Sequence, residues 1–181
     1  MERCSFWLLT AVFAAACLAM CADGQKAFAE NGDEPVNLEF DRYVHPYFVL
    51  NTVEPAPKSS TRTGVAANAE EFAALFGIGR VMGPRPKEIP DGYFDSHKVV
   101  YFIEWGKVPW DYQVKEAAVR NGVLVVKCTK DGKPSEAATF APHIIIGFEG
   151  KALEGVKKVS FEFLSANAAE GAKPEIVSAD L

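Results

Sequence analysis

Apolar positions along this chain repeat with helical spacing in one place. Phe72, Leu75 and Phe76 fall at i, i+3 and i+4, one face of a short helix. Asn68 suits the N-cap, Glu71 three residues on can return a hydrogen bond as in a capping box, and Gly77 can take a left-handed C-terminal position. The pattern predicts a helix over 69–76. So short a helix has little stability of its own and must be held by docking, so Leu75→Asp is expected to unfold the domain.

Elsewhere the period is that of extended chain. Val99-Val100-Tyr101-Phe102-Ile103 is an unbroken apolar run, and a strand apolar on both faces belongs in the middle of a covered sheet, which makes 98–105 the central strand. Asn121-Gly122 fits a two-residue type I′ turn joining strands over 112–120 and 123–129. In the second arm Leu124, Val126 and Cys128 share one face and Val123, Val125 and Lys127 the other. Lys130-Asp131-Gly132-Lys133 makes the next turn. Residues 137–140 and 143–148 read as extended around Ala141-Pro142, with Ile144-Ile145-Ile146 a second buried run. Val159, Phe161 and Phe163 alternate with Ser160, Glu162 and Leu164 in a half-buried last strand. Residues 43–53 form an extended segment interrupted at Pro46, while the Pro, Ser and Gly content of 54–65 and 79–92 marks loops.

These elements give an α+β fold: one short helix packed on a twisted, mainly antiparallel sheet of five or six strands. The domain runs over 43–164, after a flexible polar lead-in at 30–42 and before a mobile tail at 165–181 whose residues turn small and polar. Residues 4–22 carry no charge and are rich in Phe, Leu, Ala and Val, the mark of an export signal. Ala27-Phe28-Ala29 places small residues before a cut after Ala29, making 1–29 a signal peptide and the mature protein periplasmic or extracellular. Cys17 or Cys21 as a lipid-modified residue, or an uncut leader acting as a membrane anchor, are the alternatives.

Charge and composition narrow the functions. The 181 residues include 19 basic and 24 acidic side chains, and removing the leader leaves the net charge at −5, so no basic excess exists to hold nucleic acid. Of the four cysteines only Cys128 lies outside the leader, which excludes an intrachain disulfide in the mature chain and makes Cys128 a small core residue. His45, His97 and His143 match no compact metal-binding spacing, so no metal and no cofactor are expected. No Gly-x-Ser-x-Gly elbow occurs, and Gly77-Ile78-Gly79 lacks the strand and helix that give a phosphate-cradling loop its meaning.

What remains is the turn Trp105-Gly106-Lys107-Val108-Pro109-Trp110-Asp111-Tyr112. Aromatic side chains on a rigid turn anchor protein or carbohydrate partners, or else they simply cover the ends of a sheet. Trp105, Trp110, Asp111, Tyr112 and His143 are therefore the candidate binding residues of a non-catalytic binding or accessory domain. A small hydrolase or metal-dependent enzyme using His143, and a structural envelope component, are the alternatives. Trp110→Ala is expected to remove partner capture and leave stability nearly unchanged.

Five stretches give this chain a family likeness: Asn68-Ala69-Glu70-Glu71-Phe72, Phe94-Asp95-Ser96-His97-Lys98-Val99-Val100, Trp110-Asp111-Tyr112-Gln113-Val114, Gly122-Val123-Leu124-Val125-Val126 and Ala141-Pro142-His143-Ile144-Ile145. In their order, over roughly 68–163, they resemble the C-terminal domain of the protease-complex B subunit, a small domain of exported bacterial proteins. Where that family tends to have glycine-rich residues before the loop tyrosine, this chain has Pro109-Trp110-Asp111 before Tyr112. The resemblance implies an accessory or stabilising role beside a protease or envelope partner, with no catalytic residues to carry over.

Overall fold

A computed structural model describes residues 35–43, 48–51, 60–79 and 89–181. The expected leader, His45, Pro46 and the Pro/Gly stretches at 52–59 and 80–88 lie outside the described residues, which all fall in one compact unit over 33–181.

The elements in chain order are β1 (Val36–Asn37), β2 (Asp41–Tyr43), β3 (Phe48–Leu50), β4 (Thr61–Ala66), α1 (Ala69–Leu75), β5 (Phe76–Ile78), β6 (His97–Glu104), β7 (Asp111–Arg120), β8 (Val123–Asp131), β9 (His143–Glu149), β10 (Lys158–Ser165) and β11 (Glu175–Asp180). Single 3-10 turns precede β6 at Tyr93–Asp95 and follow β9 at Gly150–Leu153.

The sheet-dominated α+β class stands, but the single sheet of five or six strands does not. Among the described residues the strands form three sheets: β1-β7-β8-β10-β11, β2-β9-β6-β4 and the ribbon β3-β5. All pairs are antiparallel except β8 with β10, which run parallel.

The four-stranded sheet is covered on both faces, and the apolar runs are built for that. On one face Val100, Phe102, Ile144, Ile146 and Phe148 meet Leu124, Val126, Cys128, Val159, Phe161 and Phe163 of the five-stranded sheet. On the other, Val99, Tyr101, Ile103 and Ile145 meet Phe72 of α1, Phe76 of β5 and Phe48 of β3. Each such side chain contributes about 1.5–3 kcal/mol when buried. The hairpin forms as its dipeptide dictates: Asn121 and Gly122 have φ of 50° and 72°, the positive values a type I′ turn needs. A bulge between Val114 and Glu116 shifts the alternation of β7, so that Tyr112 and Val114 before it and Ala117 and Val119 after it all face the first core.

Segments assigned to loops and tails carry strands. The lead-in at 30–42 supplies β1 and most of β2, because Leu38 and Phe40 pack on the first core. Within 54–65, residues 61–65 belong to β4: Thr63 donates to the Tyr101 carbonyl at 2.8 Å, and Gly64 makes room for the Tyr101 hydroxyl, 2.8 Å from where a Cβ would sit. Residues 165–181, taken as a mobile tail, contain β11, which pairs with β10 over six residues and lays Val177 beside Phe161. Residues 137–140 form no strand; Phe140 makes one isolated bridge to Gly106.

The helix ends one residue early. Asn68 Oδ1 accepts from the Glu71 amide at 2.8 Å, as the capping box requires, although Glu71 Oε2 takes its return bond from the Ala67 N–H at 2.7 Å rather than from Asn68's. At the other end Phe76 is already extended, with φ −126° and ψ 139°, so Gly77 is not a left-handed cap. Gly77 instead lets the Asn51 side chain lie close against the strand, where a Cβ would make it shift.

Candidate functional site

The aromatic turn joins β6 to β7 across the end of both layers. Its backbone is fixed on every side: the Trp105 N–H donates to Ser60 O at 2.7 Å, Gly106 and Phe140 exchange bonds of 3.1 and 2.8 Å, and Ser135 N–H donates to Lys107 O at 2.7 Å. Trp105 is half-buried against the second core and Trp110 against the first. Glu104 gathers the turn. Its Oε1 accepts from Trp110 Nε1 at 3.0 Å and its Oε2 from the Tyr112 hydroxyl at 2.5 Å. Lys130 Nζ stands 4.6 Å from the Trp110 ring centroid and pairs with Glu175 of β11 at 2.5 Å. Gly132 lets the indole lie close, since a Cβ there would be 3.0 Å from Trp110 Cε3.

The five candidate binding residues are thus not one exposed patch. Trp105 and Trp110 each give one face to a core, Asp111 is exposed, and Tyr112 is buried with its phenol held far above the usual value by burial and by the Glu104 carboxylate. His143 is only 6% exposed and lies on the opposite face of the central sheet, its ring 5.3 Å from Phe76. Its Nδ1 is 3.0 Å from Ala141 O and its Nε2 2.8 Å from Phe48 O. Cys128 is sealed in the first core, where burial pushes its thiol up to about 12 while Arg42 pulls it the other way. Arg42 itself donates to Tyr112 O at 2.7 Å, tying β2 to β7 across the two sheets.

A second site, absent from the sequence reading, lies where β2, β9 and β6 come together. A half-open depression of about 370 Å³ is lined by Glu39, Phe40, Asp41, His97, Gly147, Glu149 and Ala152. Strand register builds it: Asp41 stands opposite Gly147, and His97 opposite Glu149. Tyr93, on the 3-10 turn, stacks on the His97 ring at 4.4 Å and donates its hydroxyl to Asp41 Oδ2 at 3.0 Å. It passes directly over Gly147, where any Cβ would strike the hydroxyl. Ser96 Oγ lies 2.9 Å from His97 Nδ1. Carboxylates from two segments and one imidazole thus border a concave, solvent-open surface that suits a cationic group. Among the described residues no set of three or more His, Cys, Asp or Glu side chains is arranged to hold a metal ion, and no helix is long and apolar enough to cross a membrane.

Single-sequence reasoning missed this depression because its residues lie in three separate stretches, at 39–41, 97 and 147–152, and Glu39 and Asp41 read as part of a polar lead-in. The recoverable signal was Gly147, a glycine inside an otherwise apolar strand, which marks a close approach by another group. No family model matches the chain, and no similar curated protein or solved structure was found.

Proposed function

We propose that this chain is an exported, non-catalytic binding domain that receives a positively charged group of a protein partner in the depression between β2, β9 and β6. The observation that carries the proposal is the convergence of Glu39, Asp41, Glu149 and His97 on one open concavity. The uncharged stretch at 4–22 supports export, and the resemblance to the B-subunit domain supports an accessory role beside an envelope or protease partner. The aromatic turn is the rim of the fold in this reading. Trp110 and Tyr112 are committed to Glu104, and His143 has backbone carbonyls at both ring nitrogens, which takes support from a His143-based hydrolase or metal enzyme.

The test is capture from an extract of the native host with the full chain as bait. Glu39→Gln combined with Glu149→Gln leaves Asp41 to hold Tyr93 and removes two rim charges, so it is expected to cut capture of the partner at least about tenfold and to weaken its salt dependence. Capture that is indifferent to both the double variant and to salt would overturn the proposal.

A further inference from the structure

Strand register sets the outer face of the five-stranded sheet in rows. Leu124, Val126 and Cys128 of β8 and Val159, Phe161 and Phe163 of β10 point into the first core, so the residues between them point away from it. Three outward rows cross β7, β8, β10 and β11. The first is Glu116, Lys127, Glu162 and Ile176; the middle one is Ala118, Val125, Ser160 and Ser178; the third is Arg120, Val123, Lys158 and Asp180. Side chains are short along the middle row, where Ser178 donates to Ser160 at 3.0 Å, and mostly long and charged on either side of it. The face also carries apolar surface: Ile176 is 59% exposed, and Val123 and Val125 are half-buried.

The charge of this face differs from that of the chain. Its rows hold three acids and three bases, a balance of zero, on a chain of net charge −5. Two copies of so acidic a chain repel one another, and a neutral face is where that repulsion is weakest.

We infer that the chain forms a homodimer through this face, the middle row of each copy lying on that of the other and ion pairs on both sides fixing the fit. Aligned stacking of two sheets about a two-fold axis brings unlike charges together. With the axis running along the strands between β8 and β10, Lys127 faces Glu162 of the second copy and Arg120 faces Asp180, each twice by symmetry. With the axis running across the strands along the middle row, Glu116 faces Arg120 and Glu162 faces Lys158. Neither arrangement sets like charges opposite one another. Both place Ala118 and Val125 inside a charged surround, the usual plan of an apolar centre and a polar rim. The surface is separate from the depression, whose strands β2, β6 and β9 belong to the other sheet.

Sedimentation equilibrium of the full chain tests this. Over a dilution series reaching about 100 µM the wild-type chain should pass from monomer to dimer, and added salt should shift the balance toward monomer. Glu162→Lys sets a base opposite Lys127 in one arrangement and opposite Lys158 in the other, so it should raise the dimer dissociation constant at least about tenfold. Ser178→Arg puts bulk into the middle row at an exposed position and should do the same, with far-ultraviolet dichroism unchanged in both variants. Mixing restores the contact. Glu162→Lys with Lys127→Glu pairs unlike charges if the axis runs along the strands, and Glu162→Lys with Lys158→Glu does so if it runs across them. One of the two mixtures should therefore give mixed dimers about as tight as those of the wild type. A wild-type chain that stays monomeric, dimers that both single variants leave intact, or no mixed dimer from either mixture would overturn the inference.

Discussion

Glu104 shows how one residue can decide whether an aromatic turn is available to a partner. It satisfies one donor on Trp110 and one on a buried tyrosine, so its loss strands both. Glu104→Ala is expected to lower unfolding free energy by about 2–4 kcal/mol, and Glu104→Gln by clearly less because one acceptor remains; urea denaturation of the pair measures the difference. Half-buried Trp110 makes a related point. The sequence reading expected Trp110→Ala to be neutral for stability, whereas packing on the first core puts the cost at about 2 kcal/mol, read by the same titration. Cys128 supplies a pH dependence. Its thiol is held neutral to about pH 12, so folding is favoured fully below the unfolded thiol's value, and that contribution falls away as pH rises from about 9 toward 12. Tyr112 acts in the same direction at higher pH, its phenol also being raised. Thermal melts should therefore drop progressively above pH ~9, and Cys128→Ala should flatten the first part of that decline.

At the scale of elements, what could be read from the sequence and what could not divide by where the stabilising partner sits. The 120–123 turn, the capping box, and the inward sets Leu124, Val126, Cys128 and Val159, Phe161, Phe163 were legible because local chemistry or strict alternation specifies them. β1, β4 and β11 were not, because each is an edge strand whose polar or small residues look like loop until a neighbour supplies the ladder. The parallel β8–β10 pairing was illegible for the same reason: alternation says which face of a strand is buried and nothing of which strand lies beside it. Of the site, the aromatic turn was found and its internal bracing was not. The β2–β9–β6 depression was missed altogether, since the approach of Tyr93 over Gly147 is a tertiary event. Two variants test these assignments. Deleting 174–181 strips β11 from β10 and removes the Lys130–Glu175 pair, and should cost several kcal/mol, about 2–5, in chemical denaturation. Gly147→Ala should displace Tyr93 from Asp41, seen as a change in tyrosine near-ultraviolet dichroism at unchanged far-ultraviolet signal.

For the whole molecule the central sheet is the shared wall. Val99, Tyr101 and Ile103 serve one core while Val100 and Phe102 serve the other, so neither core can open without moving the strand that closes its neighbour. Unfolding followed by tryptophan fluorescence and by far-ultraviolet dichroism should give coincident transitions; two separate midpoints would show the layers to be independent. The β8–β10 pairing also sets an order of events for a chain delivered from its first residue onward. The 111–131 hairpin can close as soon as it emerges, but the strand that covers its inner edge is more than 25 residues away, beyond β9. Until 158–165 arrive, Leu124 and Val126 and one whole backbone edge of β8 stay bare. A nascent chain of this topology has a built-in waiting period, during which the apolar face of the hairpin and the open edge of β8 are bare together.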